Sequence, residues 1–249
     1  MRKSLLSLSV AAALAAPTLA AAQAAPAPSP ITGNMSLVSE YRFRGIDQTF
    51  GKPALQGGFD YAHPSGIYLG NWNSNVNPSA GFNGANLEMD FYGGYKHAFG
   101  DFGIDVGGIY YYYPGSNSTV DNKEIYLGGS WKFLSVKYYH SIDDYFSVPN
   151  TKNSWYLDFG LNYDLGSGWG LVAHYGIFEF KNLPAGDYND WKLGITKDVG
   201  GYLFGATYVD TDAEGSCANG EFYCFPNGNF TKTRDAGKAT IVFSVAKTF

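Results

Sequence analysis

The chain has 249 residues, with 17 Lys and Arg against 22 Asp and Glu, a formal net charge of −5 and 17% aromatic residues. That acidic balance lacks the basic footprint that a nucleic-acid partner requires. Beyond residue 24 no apolar run is long enough to cross a bilayer as a helix, so a membrane role requires strands closed into a barrel.

The first residues read as an export signal. Arg2 and Lys3 give a positive start, Leu5 to Leu19 an apolar run, and the small residues from Ala20 to Ala24 a cleavage region. Residues 1–24 are therefore expected to be a signal peptide, 25–35 a Pro-rich lead-in, and 36–249 the folded body.

From Ser36 onward, apolar and polar side chains alternate with the period of a strand. The first strand is expected to point Leu37, Tyr41 and Phe43 one way and Ser36, Glu40, Arg42 and Arg44 the other. The second sets Leu55, Phe59 and Tyr61 against Gln56 and Asp60; after a turn at His63 to Gly66, the third sets Tyr68 and Trp72 against Asn71, Asn73 and Asn75. Leu87, Met89, Phe91 and Tyr95 then oppose Glu88, Asp90, Tyr92 and Lys96. In the fifth strand Phe102, Ile104, Val106, Tyr110 and Tyr112 oppose Asp105. The sixth and seventh place Ile125, Leu127, Trp131, Val136 and Tyr138 opposite Glu124, Tyr126, Lys132, Lys137 and Tyr139. The eighth and ninth present Trp155, Leu157, Phe159, Leu161, Trp169, Leu171 and Tyr175, with Asp158, Asn162 and His174 behind. Trp191, Leu193 and Ile195 oppose Asp190, Lys192 and Thr196 in the tenth, and Tyr202, Phe204 and Tyr208 mark the eleventh. A twelfth strand, 238–249, ends at Phe249.

Connections near residues 64, 100, 134, 167 and 199 are short, and the intervening ones mostly longer. Short turns at one end and long loops at the other, with an even strand count, predict an all-β fold: a transmembrane antiparallel up-and-down β-barrel of about twelve strands. Tyr61, Tyr68, Tyr95, Phe102, Phe133, Tyr163, Trp169 and Tyr202 flank the short turns, the depth that amphipathic rings favour at a lipid interface. The alternation up to Phe249 is similar to the terminal strand read by barrel-assembly machinery, although Lys247 departs from the usual apolar residue there. The expected location is the outer membrane of a Gram-negative bacterium, in contact with its lipid.

The segments Ser39-Glu-Tyr-Arg-Phe-Arg-Gly-Ile46, Pro53-Ala-Leu-Gln-Gly57, Tyr68-Leu-Gly-Asn-Trp72 and Leu87-Glu-Met-Asp90 carry a family resemblance. Over residues 36–95 the chain resembles the TorF family of putative porins, proteobacterial proteins whose membership implies an outer-membrane barrel. The resemblance implies no particular solute and carries over no functional residues.

The candidate pore-lining residues are Glu40, Arg42, Arg44, Asp60, Glu88, Asp90, Asp105, Asp158, His174 and Lys192. Opposed charges of this kind either make a transverse field that selects polar solutes, or pair to brace a narrow lumen. Cys217 and Cys224, in one polar loop of an exported chain, predict a local disulfide. The residues suggest no metal site and no cofactor. Asp210, Asp212, Glu214 and Glu221 make that same loop acidic, without the spacing of a dedicated calcium loop. Catalysis is not expected: His140 and Ser141, beside Asp143, would face opposite ways on a strand. The expected function is passive diffusion of small hydrophilic solutes or ions, the alternative a structural or adhesive barrel without an open pore.

Overall fold

The computed structural model describes residues 29–249; the expected signal peptide lies outside them. In chain order the strands are β1 (Ile31–Val38), β2 (Arg42–Phe43), β3 (Ile46–Asp47), β4 (Ala54–Ala62), β5 (Ile67–Asn75), β6 (Leu87–Phe99), β7 (Phe102–Tyr112) and β8 (Asn122–Trp131). They continue with β9 (Leu134–Ser141), β10 (Trp155–Gly166), β11 (Trp169–Glu179), β12 (Tyr188–Val199), β13 (Tyr202–Thr211), β14 (Cys224–Pro226), β15 (Thr233–Asp235) and β16 (Thr240–Thr248).

Twelve of these close into one antiparallel barrel in the ring order β1-β16-β13-β12-β11-β10-β9-β8-β7-β6-β5-β4. The other four form two small ribbons, β2–β3 and β14–β15. Closure leaves no unpaired sheet edge, which is what lipid demands of a strand-built span. At the seam β16 pairs with β1, and Phe249 and Gly33 exchange backbone hydrogen bonds of 2.7 and 2.9 Å.

The outer surface is apolar as expected: Leu55, Phe59, Phe91, Val106, Leu127, Phe159, Leu193, Ile195, Phe204 and Phe243 all point away from the lumen. Rings of Tyr61, Tyr95, Phe102, Phe133, Tyr163, Trp169 and Tyr202 are exposed beside the short turns. Gly58 is needed for close approach, because a Cβ there would collide with the Asn71 carbonyl oxygen of β5.

Three expectations need correction. First, β1 begins at Ile31, inside the stretch read as a lead-in, and ends at Val38. The chain then leaves the sheet, so Tyr41 and Phe43 are buried in the lumen rather than turned outward. Second, the faces of β5 are reversed: Tyr68 and Trp72 are buried in the lumen, while Ile67 and Leu69 are exposed outside. The Tyr68 hydroxyl donates to Asp105 at 2.6 Å and Trp72 packs edge-on against Tyr41, at 5.5 Å between centroids. The outer Asn side chains use their amide donors locally, Asn71 donating to the Asp90 carbonyl and Asn73 to the Gly57 carbonyl. Third, Tyr68 is consequently absent from the aromatic girdle.

Candidate functional site

The sheet encloses a lumen, and what fills its loop end is the segment between β1 and β4. Residues 42–47 form a miniature hairpin, Arg42 paired with Asp47 and Phe43 with Ile46. Its two-residue tip, Arg44 and Gly45, takes positive φ at both positions (48° and 80°), the backbone of the tight turns that match strand twist. Gly45 also has no room for a side chain, since a Cβ would meet Asp190 and Thr211.

This hairpin crosses the lumen. β9 and β10 stand on the far side of the ring from β1, yet Arg44 reaches the Tyr139 ring on β9 (5.0 Å) and the Tyr156 ring on β10 (4.3 Å). Its guanidinium forks onto Glu124 of β8, at 2.9 and 2.7 Å, and donates to the Tyr145 hydroxyl at 3.1 Å. The pair is almost dry, with side-chain exposures of 5% and 1%. A buried charge is costly to desolvate, and the two-pronged geometry with ring faces above it is what offsets that cost. Aromatic packing continues around the tip: Phe43 on Tyr111 and Phe146, and Tyr145 on Phe178 and Phe180.

The last long loop clamps the hairpin from outside. Arg42 pairs with Glu40 and donates to the Ala236 carbonyl at 2.8 Å; the Asp47 amide donates to the same carbonyl at 2.9 Å. Arg234 of β15 donates to Asp47 and, at 2.8 Å, to Glu40. Partial burial works against the Arg234 charge, but Asp47 and Glu40 outweigh it and hold the guanidinium proton above its usual range. β15 is paired with β14, whose Cys224 forms the expected disulfide with Cys217.

Below the hairpin the lumen opens. A cavity of about 100 Å³ lies between Arg42 and Phe43 above and Asp158, His174, Asp190 and Lys192 at the wall, with Val38, Val209 and Val242 on its apolar flank. His174 contacts Asp158 at 2.8 Å through Nδ1 and Asp190 at 2.7 Å through Nε2, and the Tyr156 hydroxyl donates to Asp190 at 2.7 Å. Nearer the short turns, Lys137 pairs with Asp105 at 2.6 Å and the Tyr92 hydroxyl donates to Asp60 at 2.6 Å. Lys96 lies over the Tyr68 ring at 4.4 Å.

All ten residues expected to line the pore thus lie within the barrel, in two roles. Glu40, Arg42 and Arg44 belong to the crossing segment, not to the wall; Asp60, Glu88, Asp90, Asp105, Asp158, His174 and Lys192 are on wall strands. Most of their charges are paired, so bracing and lining coincide. Glu88 and Asp90 differ: both are buried on neighbouring inward positions of β6, and Glu88 Oε2 and Asp90 Oδ1 have no hydrogen-bond partner. Asp47, Glu124, Tyr139, Tyr156 and Arg234 complete the site; Glu124 and Tyr139 were expected on the inward face, but the pairings were not legible in the sequence, since they join positions as far apart as 194 residues.

The polar clusters considered for other chemistry are separately engaged. His140 contacts Tyr138 and Asn153, whereas Ser141 donates to Asn122 across the lumen face. In the outer loops Asp210 accepts from Tyr208, Asp212 from Asn189 and Glu221 from Asn219. Lys123 lowers the Asp143 carboxyl below its ordinary range through a hydrogen bond. Among the described residues no group of three or more His, Cys, Asp or Glu side chains is arranged so that it could hold a metal ion.

A bacterial family described as being of unknown function, Gcw_chp, matches residues 22–249. The chain belongs to that family. No curated protein matches its sequence. Its fold is that of porins: a NanC porin superposes with a TM-score of 0.54 at 9% identity, covering 88% of this chain and 98% of that one. A KdgM porin in complex with disordered oligogalacturonate gives 0.52 at 9% identity, covering 88% and 97%. At such identity the likeness concerns the barrel alone, and this Gcw_chp chain shares with them a porin-like architecture.

Proposed function

We propose that this protein is an outer-membrane channel for passive diffusion of small hydrophilic solutes or ions, gated by its own β2–β3 hairpin. One observation carries the reading: a closed barrel with an apolar exterior encloses a lumen lined by charged side chains, with a cavity of about 100 Å³ beside the hairpin. Toward the short turns, inward Asn162 is exposed although it belongs to a wall strand. The resemblance of residues 36–95 to the TorF putative porins supports the same conclusion. Wall carboxylates outnumber wall lysines, and charge in a low-dielectric constriction repels ions of like sign more strongly than in bulk water. A preference for cations follows.

The Arg44–Glu124 contact, which ties the crossing hairpin to the far wall, favours a second reading, a structural or adhesive barrel kept shut. Planar-bilayer recording separates the two. Conductance steps with a cation-selective reversal potential in a salt gradient support the channel; silence under all voltages, with a correctly folded barrel, supports the shut one.

A further inference from the structure

The pocket that holds the Arg44 guanidinium is built by the wall and filled by the hairpin. Glu124 supplies a carboxylate from β8; Tyr139 and Tyr156 supply ring faces from β9 and β10; Tyr145 supplies a hydroxyl and a third face at 5.9 Å from the following loop. Arg44 reaches it from the opposite side of the ring. An acidic group beneath aromatic faces, shielded from water, is the general chemistry for recognising an organic cation. Here the cation is part of the same chain, tethered through the short hairpin between β1 and β4.

The surroundings reinforce that chemistry. Glu88 and Asp90 are buried at the same end of the lumen, and each keeps one carboxylate oxygen without a partner while Arg44 serves Glu124. Once the hairpin leaves, with its two arginines, the mouth it vacates is lined by carboxylates and phenol rings. An anion would be repelled there. A neutral solute would leave the Glu124 carboxylate without charge-matched donors, a costly state in a dry site. A guanidinium or alkylammonium solute replaces what Arg44 supplied.

We propose that the Glu124–Tyr139–Tyr145–Tyr156 pocket is a recognition site for guanidinium and alkylammonium solutes, and that Arg44 is a tethered competitor whose displacement by such a solute opens the lumen. This names the solute class of the channel and so rests on the channel reading. The tether gives Arg44 a high effective concentration, which keeps the site closed until external cation outcompetes it.

The test compares fluxes from proteoliposomes holding the full chain, with methylguanidinium, its uncharged analogue methylurea, and acetate as probes. Arg44→Ala vacates the pocket; Arg44→Gln does so with less loss of volume, should the alanine variant fold poorly. Folding of each is checked by heat-dependent mobility in SDS. In either variant methylguanidinium is expected to pass faster than methylurea by about tenfold or more, the factor set by one cation–aromatic and carboxylate contact. Adding Glu124→Gln is expected to bring that ratio close to one. Equal fluxes of the two probes in the Arg44 variants, or a preference that survives Glu124→Gln, would overturn the proposal and leave the channel standing. Absence of flux for every probe, even after residues 40–48 are replaced by a short Gly-Ser linker, would overturn the channel reading and this one with it.

Discussion

Replacing Leu127 by Arg probes the lipid face where the structure makes the outcome calculable. Leu127 is 63% exposed on the outside of β8, between Val106 of β7 and Tyr138 of β9. Trp131, four residues on, sits at the short-turn rim among the girdle aromatics. At about 3.4 Å per residue and a strand tilt of roughly 40°, Leu127 lies about 10 Å inside that rim, near the middle of an apolar band about 25 Å tall. An arginine at that depth is expected to destabilise the barrel by about 2–4 kcal/mol. The matched control is Asn162→Arg on the lumen face of β10, where water reaches the side chain and the cost should stay below about 1 kcal/mol. The assay is reversible guanidinium unfolding of the barrel in phosphatidylcholine vesicles. Equal costs for the two variants, or a larger one for Asn162→Arg, would refute the assignment of outside and inside.

Two further outcomes follow from local geometry. Gly58→Ala drives a methyl into the Asn71 carbonyl and is expected to abolish the heat-sensitive compact band in SDS, whereas Gly129→Ala, with nothing nearer than 3.9 Å, should retain it. Reducing the Cys217–Cys224 bond, or Cys217→Ser with Cys224→Ser, opens a ring whose ends are only seven positions apart and should cost about 2–3 kcal/mol at most, read from the unfolding midpoint; mass spectrometry of the native protein is expected to find no free thiol.

The period-two alternation carried most of the barrel because lipid and water impose opposite preferences on alternate residues, as Phe91 and Asp90 or Leu127 and Tyr126 illustrate. It failed where a strand residue obeys a third neighbour. Trp72 and Tyr68 look like lipid-facing residues by hydropathy, yet the lumen of this barrel is itself aromatic, and Tyr41 and Asp105 draw them inward. The same ambiguity hid the end of β1: Tyr41 to Gly45 alternates like a strand and is nearly one, but its partner is Ile46–Asp47 of its own hairpin. Legible in that stretch was the set of charges, Glu40, Arg42 and Arg44. Their partners Glu124 and Arg234 lie 80 and 194 positions away, and only ring closure brings them together.

The central claim is that the β2–β3 hairpin is the gate of an otherwise continuous lumen. Single-channel recording of the wild type beside a variant whose residues 40–48 are replaced by a Gly-Ser linker addresses it directly. The account predicts rare, brief openings in the wild type and a persistent cation-selective conductance in the variant. A folded variant that stays as silent as a protein-free bilayer, or conducts no more than the wild type, would contradict it.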